Sequence, residues 1–159
     1  MLYLHIMPRS PIQDIALLGA TCLGRAARRT ANIVTRVYNQ HLAKAGIEVT
    51  QFTILCCVAL ERAASASELA DMVGVERSTL VRNLDRLVAA GLVRAEKGYG
   101  RRLVHRLTER GEETVALALP LWREAQDALL ELLPPDRDQA IREDFRLLRR
   151  AAGAIVART

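Results

Sequence analysis

The feature that most constrains this chain is the run at residues 65–111, SASELADMVGVERSTLVRNLDRLVAAGLVRAEKGYGRRLVHRLTERG. Ser65 and Glu68 stand three apart just ahead of Leu69, Ala70 and Met72, the spacing of a capping box at a helix start. Gly74 follows within two turns and permits the backbone angles of a sharp turn. A second helix is expected over residues 75–90. Leu80, Leu84, Leu87 and Val88 fall on one face of it, and Ser78, Arg82, Asp85, Arg86 and Ala89 fall on the other. Gly91 has the position of a terminating C′ glycine. After it the period changes to that of strands, with a basic glycine-rich tip at residues 97–102. Short helix, turn, longer helix and hairpin describe a helix-turn-helix backed by a β-wing.

The charges point the same way. Residues 76–106 carry eight Lys and Arg (77, 82, 86, 94, 97, 101, 102 and 106) and three acids (76, 85 and 96), a surplus of +5. The whole chain carries +5, so the remainder is neutral in sum. Basicity gathered on one helix and one hairpin is the electrostatic footprint of nucleic-acid binding. A helix with small hydroxyl residues in its first turn and arginines on its free face suits a major groove. There Ser78, Thr79 and Asn83 can reach phosphates or bases, and Arg82 can pair with guanine edges. Arg77 and Arg86 flank that face. Lys97, Arg101 and Arg102 at the tip suit the minor groove or the flanking phosphates.

These residues resemble the MarR family of winged-helix transcriptional regulators. The similarity is carried by SASELADMVGVERSTLVRNLDRLVAAGLV, by the wing arginines and by LTERG at residues 107–111. Residues 42–47 and 50–55 look like the family's approach to its second helix, and the likeness extends over roughly residues 22–133. The resemblance implies a mainly α fold, a winged helix-turn-helix between N- and C-terminal dimerisation helices. It also implies a homodimer on a pseudo-palindromic double-stranded DNA operator, acting as a repressor, and a small aromatic acid as effector. In one respect the chain departs from the pattern. The family commonly has an Asp two residues before the wing-tip Arg, and this chain has Tyr99 two residues before Arg101.

The rest of the chain divides accordingly: an arm at 1–11, a dimerisation helix within 12–46, the winged unit at 47–107 and further dimerisation helices at 108–159. One long helix is expected over residues 12–44, with Gly24 a weak spot. Thr50 is expected to cap the next helix, with Phe52, Leu55, Cys56 and Ala59 inward. Thr108 is expected to cap a helix to about residue 133, bent at Pro120. The Pro134-Pro135 pair precedes a last helix from about Asp136. The apolar stripes of the terminal helices exceed what one winged unit needs, and a second copy is the simplest cover. An intramolecular bundle is the alternative.

Other classes find little support. Half the residues are hydrophobic and 4% aromatic, but no apolar run reaches the length of a membrane span. Residues 2–7 are too short an apolar start for a signal peptide. With three cysteines that cannot all pair, a reducing cytoplasm is expected. His5, His41 and His105 are scattered, the adjacent Cys56 and Cys57 make a poor metal clamp, and no phosphate loop or nucleophile elbow appears. The chain is therefore read as no enzyme, with no cofactor and no metal. Cys22 carries a sharper hypothesis. It lies near Arg25, and one peroxide-sensing branch of the resembled family has a reactive Cys near the start of its first helix. Its bland alternative is a spacer in an apolar stripe. Arg28, Arg29 and Arg36 could offer a cationic wall to an effector, or simply be solvated. The rival from another class is a winged module that docks a protein, separable by the salt dependence of its binding to random duplex.

Overall fold

The computed structural model describes residues 11–60, 65–98 and 103–158. The chain divides into two units, Met1–Val37 and Tyr38–Thr159. In order, the elements are α1 (Pro11–Thr21), α2 (Leu23–Leu42), a 3-10 turn (Ala43–Ala45), α3 (Val49–Ala59), α4 (Ala66–Val73), α5 (Arg77–Ala89), β1 (Val93–Lys97), β2 (Leu103–Leu107), α6 (Glu109–Glu131) and α7 (Arg137–Val156).

In the first unit, the single helix expected from residue 12 is broken at Cys22. In an unbroken helix the Arg25 N–H would face the Thr21 carbonyl. Here it donates to Cys22 Sγ at 3.4 Å, so the sulfur caps α2. Thr21 Oγ1 donates back to the Leu17 carbonyl at 2.9 Å, a bond that bends helices. The Arg25 guanidinium donates to the Gly19 carbonyl at 2.7 Å, and a Cβ on Gly19 would come within 2.9 Å of that guanidinium. The break belongs to Cys22, two residues before the glycine that sequence marked as weak.

The second unit begins inside the last turns of α2, and those turns pack into the winged core. Leu42 is fully buried there. The Tyr38 hydroxyl donates to Gln126 Oε1 on α6, and Asn39 Oδ1 accepts from the Val49 N–H at 2.8 Å. Gly46, at φ 71°, closes the 3-10 turn. The N-cap of α3 is Glu48, where Thr50 was expected. The Gln51 side chain reaches back to accept the Glu48 N–H at 3.0 Å. Phe52 and Leu55 are buried as expected, but Ile54 and Val58 complete the inward face and Ala59 is exposed. Phe52 stacks against Trp122 of α6 with ring centroids 6.5 Å apart.

The core gathers these residues with Leu69 and Ala70 of α4, Leu80, Leu84 and Leu87 of α5, Leu92 and Val93 leading into the wing, and Ala118 and Leu121 of α6. Truncating a fully buried leucine such as Leu80 to Ala costs about 2–5 kcal/mol in such a core. By contrast α7 buries no residue and leaves Phe145 and Leu147 exposed. α6 continues through Pro120.

Candidate nucleic-acid interface

Local rules position α5. The Ser65 hydroxyl accepts the Glu68 N–H at 3.1 Å and starts α4, as the capping spacing predicts. Gly74, at φ 77°, ends it. Its own N–H reaches the Asp71 carbonyl, and the Val75 N–H reaches the Ala70 carbonyl at 3.0 Å. This paired closure is a Schellman motif, and it reverses the chain in two residues. α5 then opens at Arg77 rather than Val75, because Glu76 is extended at φ −63°, ψ 145°. Glu76 supplies no side-chain cap, so the first N–H groups of α5 stay open to an anion at the positive end of the helix. Gly91, at φ 70°, repeats the Schellman closure, with the Leu92 N–H on the Leu87 carbonyl at 2.9 Å.

The outer face of α5 presents Arg77, Ser78, Val81, Arg82, Asp85 and Arg86, all exposed. Arg77 and Arg86 form no ion pair among the described residues. Thr79 is half-buried, and its hydroxyl accepts from Arg82 Nη2 at 3.2 Å. Thr79 thereby orients the guanidinium rather than facing outward itself. Glu76, Arg77, Ser78, Val81 and Arg82 line an open depression of about 860 Å³ beside the first turn.

Two expectations for α5 are revised. Asn83 was placed with the groove-facing residues, but it is 8% exposed and its Nδ2 donates to the Thr79 carbonyl at 2.9 Å. It lies on the buried side between Leu80 and Leu87, and its amide is spent on the helix backbone. Val88 was placed in the core stripe but is 40% exposed.

The wing is antiparallel, in the register Val93↔Leu107 to Lys97↔Leu103. Arg94 stands directly opposite Arg106, a repulsive pairing in itself. Glu96 resolves it, accepting from Arg94 Nε at 2.6 Å and from Arg106 Nε at 3.2 Å. The hydrogen bond from Arg94, with the charges of both arginines, holds the Glu96 carboxyl below the usual carboxylate range. Two of the eight cations counted in sequence are therefore partnered within the wing. Lys97 remains exposed at the end of β1. Tyr99, Arg101 and Arg102 lie outside the described residues. His105 is half-buried on β2. Burial pushes its imidazole below the ordinary range, and the negative charge of Asp85 on α5 opposes that.

The LTERG segment has a structural role that spacing alone did not disclose. The Thr108 hydroxyl accepts the Gly111 N–H at 3.0 Å, capping α6 as expected, and also donates to the Gly91 carbonyl at 2.6 Å. The Thr108 N–H donates to the Leu92 carbonyl at 3.1 Å. Gly111 is buried against the same carbonyl, and a Cβ there would lie 2.1 Å from Leu92 O. The start of α6 is thus stitched to the end of α5. The glycine signal was present in sequence; the close approach that requires it was not.

No group of three or more His, Cys, Asp or Glu is arranged to hold a metal ion among the described residues. In the first unit, Arg25, Arg28, Arg29, Asn32, Ile33 and Arg36 line an open groove along α2 of about 760 Å³. It includes the three arginines of the expected cationic wall. No single helix among the described residues is long and apolar enough to cross a membrane.

A two-stranded wing packed behind a helix-turn-helix whose second helix shows a basic outer face defines a winged helix-turn-helix protein. Residues 47–98 match the MarR family model. The transcriptional regulator MosR of M. tuberculosis is similar in structure at 34% identity and a TM-score of 0.76, covering 84% of this chain and 97% of that one. The chain belongs to the MarR family. MosR solved in complex with DNA is similar at 34% identity and a TM-score of 0.75, covering 84% of this chain and 98% of that one. The transcriptional repressor CouR bound to p-coumaroyl-CoA is similar at 26% identity and a TM-score of 0.70, covering 82% and 94%. A comparison with curated proteins gives no match.

Proposed function

We propose that the chain is a homodimeric, sequence-specific double-stranded DNA-binding transcriptional regulator, a repressor released by a small-molecule or oxidant signal. The observation that carries this reading is the outer face of α5, where Arg77, Ser78, Arg82 and Arg86 are exposed on a helix held rigidly from behind. MosR, a relative at 34% identity, has been solved with DNA. In this reading Arg82, aimed by Thr79, contacts base edges and Ser78 contacts base or phosphate. Arg77, Arg86 and Lys97 contact phosphates. Arg101 and Arg102 keep the role read from sequence, at the minor groove or backbone. Asn83 serves the helix.

A second copy covers the apolar residues left exposed on α1 (Ile12, Ile15 and Leu18) and α7 (Phe145 and Leu147). Two copies then present two recognition helices to half-sites about one helical turn apart. The α2 groove is the place for an anionic effector, a reading supported by CouR, which was solved with p-coumaroyl-CoA. Such a ligand regulates only by preferring one arrangement of the protein over another. Cys22, at the helix break and bonded to the Arg25 N–H, is the place for an oxidant to act. Peroxide would transfer one oxygen to Sγ of the thiolate, giving a sulfenate and water, and so change the group that caps α2. A Cys22→Ser protein that still releases its operator on mild peroxide treatment would eliminate that role.

Selection of bound duplexes from a random pool tests the main reading. An enriched pseudo-palindrome is expected. Arg82→Ala should then weaken operator binding by about 1–3 kcal/mol and relax sequence choice, whereas Lys97→Ala should mainly flatten the salt dependence. Equal losses on operator and random DNA for Arg82→Ala would reject its base-reading role. Failure to enrich any sequence would favour a winged module that docks a protein.

A further inference from the structure

Val81 is the residue on the recognition helix that the charge argument leaves unused. It is 43% exposed, although the core face of α5 is complete without it: Leu80, Leu84 and Leu87 are each at most 4% exposed. It lies one turn beyond Ser78 and beside Arg82, and it lines the open depression at the first turns together with Arg77, Ser78 and Arg82. With Glu76 also in the lining, the surface around it is polar and charged, and an isolated valine there gains nothing from its immediate neighbours.

What Val81 can contact follows from its chemistry. Its side chain neither donates nor accepts a hydrogen bond, so it cannot satisfy the N7, O6, N6, O4 or N4 groups of the major groove. The one apolar feature of a standard base pair in that groove is the C5 methyl of thymine. Val88, the other exposed valine of α5, does not line the depression and sits near the helix C-terminus, two turns farther along. Position, exposure and chemistry thus single out Val81.

We propose that Val81 reads a thymine methyl in each half-site, next to the base contacted by Arg82. The inference rests on the DNA-binding reading above and adds a base identity to it. Arg82 would select a guanine by hydrogen bonding, and Val81 would select a neighbouring thymine by burying its methyl. The stiff β-branched side chain holds its methyls in a fixed rotamer, so little freedom is lost on contact.

The test uses the full-length protein and the operator enriched from random duplex. Each thymine is replaced in turn by deoxyuridine, which removes the methyl and leaves every hydrogen-bonding group in place. One symmetry-related thymine position is expected to stand out, with affinity falling about fourfold per methyl. Val81→Ala should lose affinity for the thymine operator and become indifferent to deoxyuridine at that position. Its melting temperature should stay near that of the unsubstituted protein, because the side chain is outside the core. Val81→Thr, which keeps one methyl, should retain part of the sensitivity. If deoxyuridine is tolerated at every position, or if Val81→Ala remains as sensitive as the unsubstituted protein, the assignment is wrong while DNA recognition stands. If no sequence is enriched, the assignment falls together with the reading beneath it.

Discussion

The Thr108 hydroxyl donates to the Gly91 carbonyl at 2.6 Å, tying the start of α6 to the glycine that ends α5. The same oxygen accepts the Gly111 N–H, so one side chain both caps α6 and anchors it to the recognition helix. Replacing Thr108 by Ala removes both bonds. A lost cap costs about 1 kcal/mol, and chemical denaturation should find a loss of at least that size. A Thr108→Ser protein, which keeps the hydroxyl, should recover most of it.

Gly111→Ala should be the more damaging change. Its Cβ would meet Leu92 O at 2.1 Å, and that atom is backbone already held by the Thr108 N–H. Overpacking of this kind costs about 1–3 kcal/mol or more. In thermal denaturation the Gly111→Ala protein should melt below Thr108→Ala. An unchanged melting temperature would mean that α6 can draw away from Leu92 freely.

Glu96→Gln should strengthen binding to random duplex. The carboxylate holds Arg94 and Arg106 within the wing, and without its charge both guanidinium groups become available to phosphates. A salt titration of the variant should show higher affinity at low salt and a steeper slope. Unchanged binding would indicate that the wing stays clear of the duplex.

Acid should weaken the fold through His105. Burial lowers its folded pKa below the ordinary value of 6.5 despite the attraction of Asp85. In the window just below 6.5 the unfolded chain therefore binds more protons than the folded one. The His105 contribution is flat above that window, and stability falls as pH drops through it. Melting curves between pH 7 and 5 should show a loss that His105→Gln reduces. A loss of the same size in that variant would place the sensitive group elsewhere.

Much of this architecture was legible in the residues themselves. Ser65, Gly74, Gly91 and Thr108 act locally, through capping and left-handed backbone, so spacing alone located them. The concentration of cations over residues 76–106 likewise needed only counting. Three features were not legible because each depends on a partner distant in sequence or on a choice between near-equal local options. Asn83 and Val88 exchange the sides expected of them, since both lie at the margin of the apolar arc and packing against the rest of the core decides which is covered. Cys22 rather than Gly24 breaks the first helix, because its sulfur competes for an N–H that periodicity assigns to the backbone. Glu96 bridges two arginines from opposite strands, a result of hairpin register that a charge count cannot resolve.

The most direct test of the central claim is the salt dependence of binding to random duplex DNA. If the outer face of α5 and the wing lie along the phosphates, log K should fall linearly with log salt, by about 0.9 for every phosphate neutralised. Arg86→Gln should then reduce the slope by about 0.9 for each copy in the complex. Binding indifferent to salt, or a slope left unchanged by the loss of Arg77, Arg86 and Lys97 together, would contradict the account.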